Sequence, residues 1–118
     1  MGSPQLEHGY LRLANELLEA IIRARFNARE RWVIDVVIRF TYGYSKKEAI
    51  IDRSIFQDFT GLDKRAFFMV RKSLISRNVL IYHEMSYQLN KHYKDWAGVK
   101  KITHRGSKRS LPYYIKTI

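Results

Sequence analysis

The apolar positions near the start of the chain repeat with the period of an α-helix. Ala14, Leu17, Leu18, Ile21 and Ile22 fall at i, i+3, i+4, i+7 and i+8, which is the spacing of one apolar stripe on a helix of about three turns. The spacing predicts an amphipathic helix whose apolar stripe contains these five side chains.

A second helix is predicted over residues 28–41, and it differs from the first in being apolar nearly all round. Asn27 and Glu30 have the spacing of a capping box, in which each side chain accepts from a backbone N–H of the other residue. The segment contains seven large apolar residues: Trp32, Val33, Ile34, Val36, Val37, Ile38 and Phe40. Its β-branched residues also suit a strand, but the length and the cap favour a helix. Such a helix is buried on most sides, so we expect it at the centre of the domain.

The helical pattern stops at residues 41–45, where the sequence Thr-Tyr-Gly-Tyr-Ser predicts a glycine turn. Ile50 and Ile51 follow and suit a strand of one or two residues. Ser54 and Gln57 then have capping-box spacing, which predicts a short helix that begins at Ile55.

Residues 54–77 have the pattern of a helix-turn-helix. Gly61 suits the turn, because glycine adopts positive φ at little cost. Asp63 suits the cap of the second helix. On that helix Phe67, Val70 and Leu74 form an apolar stripe at i, i+3 and i+7. We therefore expect the second helix to be fixed to the core on this side.

The opposite side of the second helix carries Arg65 and Lys72. A helix that is fixed on its apolar side and basic on the other suits a DNA groove. An ordinary helical hairpin with solvated charges gives the same pattern and is the alternative.

A β-hairpin is predicted after the helix-turn-helix. Residues 79–82 and 87–89 favour strands, and the polar residues 83–86 separate them. The predicted fold is therefore α+β, mainly helical: a winged helix-turn-helix with a C-terminal β-hairpin wing. Its expected limits are residues 9–96, with a disordered N-terminal segment over 1–8 and a largely mobile basic tail over 97–118.

The charge of the chain indicates a polyanionic partner. The 118 residues have a formal net charge of +11, as is typical of nucleic-acid-binding domains. Residues 97–118 contain six Lys or Arg residues and no Asp or Glu, so more than half of the excess lies in the predicted tail. For the segment 111–115, Leu-Pro-Tyr-Tyr-Ile, docking as an extra strand and staying loose both remain open.

The sequence contains no pattern that predicts an enzyme or a metal site. Cysteine is absent, which excludes disulfides and thiolate ligands. The four histidines lack metal-ligand spacing, and neither a phosphate-binding glycine loop nor a GxSxG elbow is present. We therefore expect a binding module with no catalytic residue, no metal and no cofactor. With no membrane-spanning run and no signal-peptide pattern, we expect no membrane partner and a location in the cytoplasm or nucleoid of a host cell.

Phe68 and Met69 lie near the outer side of the second predicted helix, beside Arg65 and Lys72. Three interpretations of this apolar pair stay open. It contacts thymine methyl groups, or it is covered by the tail, or it is covered by a second subunit.

Four segments in order resemble the N-terminal domain of the bacteriophage replication protein O family. They are residues 9–20, 41–47, 59–62 and 90–96. The resemblance implies a winged helix-turn-helix that binds repeated double-stranded sites in a replication origin, usually as a homodimer, before the helicase is loaded. The chain departs from the family at Phe68 and Met69, where small polar residues are common, so its target sequence is expected to differ. The helicase-recruiting C-terminal region of the family has no counterpart before Ile118, so a helicase partner is expected only for a longer chain.

The sequence thus predicts sequence-specific binding of double-stranded DNA at a replication origin, in the initiation of phage or plasmid-type replication. The residues predicted to contact bases are Lys64, Arg65, Phe68, Met69 and Lys72. Those predicted to contact the DNA backbone are Lys46, Lys47, Arg53, Arg71, Arg77, Lys100, Lys101, Arg105, Lys108 and Arg109. The alternatives are a transcriptional repressor of the same fold and a protein-interaction module that uses Phe68 and Met69.

Overall fold

Four α-helices and a small antiparallel sheet form the part of the chain that the computed structural model describes, residues 9–98. In chain order the elements are α1 (Asn15–Ala24), α2 (Ala28–Thr41), a 3-10 turn (Tyr42–Tyr44), β1 (Ala49–Ile50), α3 (Arg53–Thr60), α4 (Lys64–Ser76), β2 (Leu80–His83), β3 (Ser86–Leu89) and a second 3-10 turn (Tyr93–Asp95). The fold is α+β and mainly helical, which confirms that part of the prediction. The segment 1–8 and the five tail residues expected at phosphates lie outside the described residues.

Helix α2 lies at the centre of the domain, as its composition predicts. The capping box is present: Asn27 Oδ1 accepts from the Glu30 backbone N–H at 2.8 Å, and Glu30 Oε1 accepts from that of Asn27 at 2.9 Å. The helix packs against α3, α4, β1 and β3. Of its seven large apolar residues, five are buried, Phe40 is half-buried, and Trp32 is 45% exposed.

Helix α1 is rotated relative to the predicted stripe. Leu17 and Ile21 are buried, but Leu18 and Ile22 are exposed, and so is Ala14 at the N-cap position. The inner side is completed by two alanines instead, and the full buried set is Leu17, Ala20, Ile21 and Ala24. Consecutive residues differ by about 100° around a helix, so paired leucines and isoleucines leave open which member of each pair points inward.

Helix α3 begins at Arg53, and its cap is not the predicted one. The carboxylate of Asp52 accepts from the Ser54 backbone N–H at 3.0 Å, so the expected capping box of Ser54 with Gln57 was wrong. A carboxylate is favoured over a hydroxyl here because its charge interacts well with the positive end of the helix dipole. The hydrogen bonds from Ser54 in turn lower the pKa of Asp52.

The turn between α3 and α4 forms as predicted. Gly61 ends α3 with φ of 74°, and Asp63 Oδ1 accepts from the Ala66 backbone N–H at 2.8 Å. The earlier turn differs, since Ser45 and not Gly43 has the positive φ, at 56°. A Cβ at Gly43 would lie only 2.9 Å from Arg39 Nη1, so the glycine gives room to this side chain.

The three strands form one antiparallel sheet in the order β1-β3-β2. The predicted short strand is present one residue earlier than expected, and Ala49 pairs with Tyr87 of β3. The predicted hairpin is also present: Leu80 pairs with Leu89, and His83 pairs with Ser86 across a two-residue turn. In this sheet β1 and β3 pack against α2, and β2 packs against α4.

Candidate nucleic-acid interface

The outward face of α4 brings the five predicted base-contact residues together. Lys64, Arg65, Phe68, Met69 and Lys72 line one shallow depression of about 480 Å³. The opposite side of the helix is fixed in the core through two fully buried side chains, Phe67 and Leu74. The core therefore determines the rotation of α4, and with it which residues point outward. Contact of these residues with bases stays a prediction.

Along α4 the apolar pair Phe68 and Met69 forms the centre of the depression, with Lys64 and Arg65 on one side of the pair and Lys72 on the other. Met69 is 64% exposed, and Phe68 is half-buried against the core. The ammonium group of Lys64 lies 5.9 Å from the centroid of the Phe68 ring. No acidic side chain lines the depression, so a polyanion can approach it without repulsion from the lining.

Arg71 lies between α4 and the hairpin. Its guanidinium carbon is 4.6 Å from the ring centroids of both Phe68 and Tyr82 and 5.5 Å from that of Phe67. Its Nη1 donates to the Tyr87 hydroxyl at 3.0 Å. Burial raises the pKa of Tyr87, although the neighbouring guanidinium acts in the other direction. A cation among aromatic faces is held by their quadrupoles, so Arg71 links the helix to the hairpin.

The contacts of Arg71 within α4 could have been predicted from the sequence, but they were not. Arg71 follows Phe67 by four residues and Phe68 by three, which are the spacings of side-chain contact on a helix. Its contacts with the hairpin depend on strand register, because Tyr82 and Tyr87 face each other as a pair in the hairpin. The predicted role of Arg71 as a phosphate contact is untested, but its guanidinium already has these internal partners.

Arg77 lies at the other end of α4, and its side chain also has partners within the protein. It forms an ion pair with Glu30 at the start of α2, and its Nη1 donates to the carbonyl oxygen of Gly98 at 3.1 Å. The Ala97 backbone N–H donates to the Arg77 carbonyl oxygen at 2.9 Å. A phosphate contact by Arg77 would compete with the ion pair.

The other predicted backbone contacts are exposed. Lys46 and Lys47 follow the first 3-10 turn, and Arg53 begins α3. Lys46 lines a second depression of about 750 Å³ beside the hairpin tip, together with Glu48 and Glu84. This depression has charges of both signs, unlike the surface of α4.

Within residues 9–98 no group of three or more His, Cys, Asp or Glu side chains is placed to hold a metal ion. No helix there is long and apolar enough to cross a membrane.

The family model that matches the sequence is that of bacteriophage replication protein O, over residues 3–96. The chain belongs to the bacteriophage replication protein O family. This confirms the resemblance seen in the four sequence segments.

Relatives of this replication protein O family member are phage proteins. DNA replication protein gp18 of Salmonella phage P22 is 30% identical over 96% of the chain and 43% of its own length. Replication protein 15 of Enterobacteria phage phi80 is 32% identical over 64% of the chain and 25% of its own length. Replication protein O of Escherichia phage lambda is 30% identical over 78% of the chain and 28% of its own length. The chain thus spans less than half the length of these relatives, and no solved structure matches it significantly.

Proposed function

We propose that the chain is a winged helix-turn-helix module that binds double-stranded DNA sequence-specifically at a replication origin, in the initiation of phage DNA replication. Membership of the replication protein O family supports the process, and so do the names of the phage relatives. The observation that carries the proposal is the outward face of α4, which is apolar at its centre, cationic at its rim and without an acidic lining residue.

The order of the elements supports the winged helix-turn-helix. Helices α3 and α4 are joined by a three-residue turn over residues 61–63, and the two-stranded hairpin follows α4 directly. Strand β1, between α2 and α3, pairs with β3 of the hairpin, and β2 packs against α4. The 13 residues of α4 give a rod of roughly 20 Å at 1.5 Å per residue, which the major groove of B-DNA admits.

The charge on α4 supports a polyanionic partner. The helix contains four basic residues and no acidic one, within a chain of net charge +11. In the proposed complex Arg65 and Lys72 donate to base edges, while Lys46, Lys47 and Arg53 donate to phosphates. Contacts of the first kind distinguish sequences, whereas contacts of the second kind add affinity for all DNA.

The test is to select a preferred duplex from a random pool and then to compare alanine variants on that duplex and on random DNA. Arg65→Ala and Lys72→Ala should weaken the preferred duplex more than random DNA, by about 1–3 kcal/mol for each good base contact. The control variants Lys46→Ala and Lys47→Ala should weaken both about equally. Equal losses on both duplexes for all four variants would show that α4 does not read bases.

The exposed Met69 supports a second candidate, a protein-interaction module that uses the apolar centre of the same face. Salt dependence separates the two, because neutralised phosphates release counterions and log affinity then falls steeply with log salt. A duplex affinity that hardly changes between low and moderate salt would favour the protein-interaction module. A repressor role would leave α4 and its DNA contacts unchanged, and it would appear as binding to a promoter instead of an origin.

A further inference from the structure

The side chains on the outward face of α4 limit which bases they can recognise. Lysine and arginine only donate hydrogen bonds, and phenylalanine has no polar atom. The thioether of Met69 is at most a weak acceptor. Adenine and cytosine each present an amino group in the major groove, which needs an acceptor such as Asn, Gln, Asp or Glu, and only the N7 of adenine accepts from a cation. The five lining residues provide no such group.

The donors and apolar groups of these five side chains are complementary to the other two bases, guanine and thymine. Guanine presents two acceptors, O6 and N7, to which Lys or Arg donates. Thymine presents one acceptor, O4, beside its 5-methyl group, and it is the one base with an apolar group in the major groove. The centre of the depression, formed by Phe68 and Met69, is apolar, and the cationic side chains lie around it.

We propose that Met69 and Phe68 read the 5-methyl groups of thymine, with Arg65, Lys64 and Lys72 donating to the neighbouring acceptor-bearing bases. The inference rests on the proposed function and specifies the ligand of the same surface: a major-groove segment with thymine at its centre and guanine beside it.

The two apolar side chains have different roles in this recognition. The ring of Phe68 is fixed by two contacts. It is partly buried against the core, and the Arg71 guanidinium carbon lies 4.6 Å from its centroid. Met69 is 64% exposed, and its flexible, polarizable side chain can adapt to a methyl group. Phe68 thus provides a rigid wall, while Met69 closes over the methyl group and removes it from water.

The experiment replaces each thymine of the selected duplex by deoxyuridine, one at a time. This change removes the methyl group and keeps every hydrogen-bonding atom of the base. At one or two central positions we expect affinity to fall about fourfold, because the complex with deoxyuridine buries one methyl group fewer. Positions elsewhere in the duplex should respond little.

Variants of Met69 test whether the uracil sensitivity depends on this side chain. Because Met69 is exposed, its replacement should leave the fold intact. Met69→Leu keeps an apolar side chain of similar volume, so it should retain the uracil sensitivity. Met69→Ala and Met69→Gln should lose it, the first by removing the contact and the second by placing an amide there. The control Lys46→Ala should weaken binding and leave the uracil sensitivity unchanged.

The outcomes separate this inference from the proposed function. If no preferred duplex can be selected, the proposed function itself fails. If a preferred duplex is selected and none of its thymines is sensitive to uracil, the proposed function stands and methyl recognition is wrong. If Met69→Ala remains as sensitive to uracil as the unaltered protein, the methyl group is read elsewhere and the role given to Met69 is overturned.

Discussion

Arg71 shows that one side chain can have a role that its position on a helical wheel does not indicate. The wheel places it at the edge of the basic face, where a phosphate contact is the natural expectation. In the structure its guanidinium stacks on Phe68 and Tyr82 and donates to Tyr87. It therefore stabilises both the outward face of α4 and the orientation of the hairpin, with or without DNA.

Replacing Arg71 by alanine should destabilise the folded protein. The change removes the cation–π contacts and leaves the Tyr87 hydroxyl without its donor, so we expect the free energy of unfolding to fall by about 1–3 kcal/mol. Arg71→Lys should recover part of this loss, because an ammonium keeps the charge but not the planar stacking. Urea denaturation measures the effect, with Lys72→Ala on the exposed side of the same helix as the control. Unfolding curves that match for the two alanine variants, with weaker DNA binding by Arg71→Ala, would instead favour the phosphate role.

The hairpin tip is the element whose sequence suits its backbone least. Glu84 and Met85 form its two-residue turn with φ of 47° and 68°, the left-handed region that side chains with a Cβ rarely adopt. Two-residue hairpin turns with positive φ at both positions favour Asn-Gly. The tip therefore stores backbone strain that the pairing of β2 with β3 must overcome.

Substituting Asn for Glu84 and Gly for Met85 should stabilise the domain. The free energy gained by relieving the left-handed strain should exceed the free energy lost because glycine makes the unfolded chain more flexible. We therefore expect the free energy of unfolding to rise by about 1 kcal/mol. Thermal or urea unfolding of the double variant measures it. Glu84→Ala is the matched control, since it removes the same charge but keeps a Cβ at positive φ, and it should give no gain. A double variant no more stable than this control would show that the turn is not strained.

The elements that the sequence predicts well are those determined by neighbouring residues. The Asn27–Glu30 capping box and the Gly61 turn each depend on a few consecutive positions. The five residues of the α4 surface come together for the same reason, because they lie on one helix within nine positions. The rotation of α1 and the partners of Arg77 depend instead on distant segments, since Glu30 lies 47 residues from Arg77. Local patterns carry no information about such contacts.

At the scale of the whole molecule, the described contacts reach Gly98, and more than half of the net positive charge lies beyond this residue. Trp96 is buried, its ring packs against that of Phe26 at a tilt of 54°, and its Nε1 donates to the Asn90 carbonyl oxygen. Ala97 and Gly98 are both hydrogen-bonded to Arg77. Beyond Gly98 the sequence contains six basic residues and no acidic one. A cut after Gly98 therefore removes charge and leaves every described contact in place.

A fragment that ends at Gly98 should fold like the full chain and bind DNA less tightly. Losing six of the eleven net positive charges reduces the number of phosphates that can be neutralised, so affinity should fall on all duplexes and the salt slope should become shallower by about 0.9 per lost phosphate contact. The preference for the selected duplex should persist, because the α4 surface is intact. Melting curves and salt titrations of the fragment and the full chain measure both effects.

A shorter fragment that ends at Asp95 provides the control, since loss of the buried Trp96 should lower the free energy of unfolding by about 3–5 kcal/mol. The segment 111–115 supplies the competing explanation, in which its Leu, Tyr and Ile side chains dock on the domain and contribute to its stability. In that case the fragment ending at Gly98 would melt well below the full chain, or would aggregate through the uncovered apolar surface. Equal melting temperatures, with weaker and less salt-dependent binding, would assign the residues beyond Gly98 to affinity for DNA and the residues before it to the fold and to sequence preference.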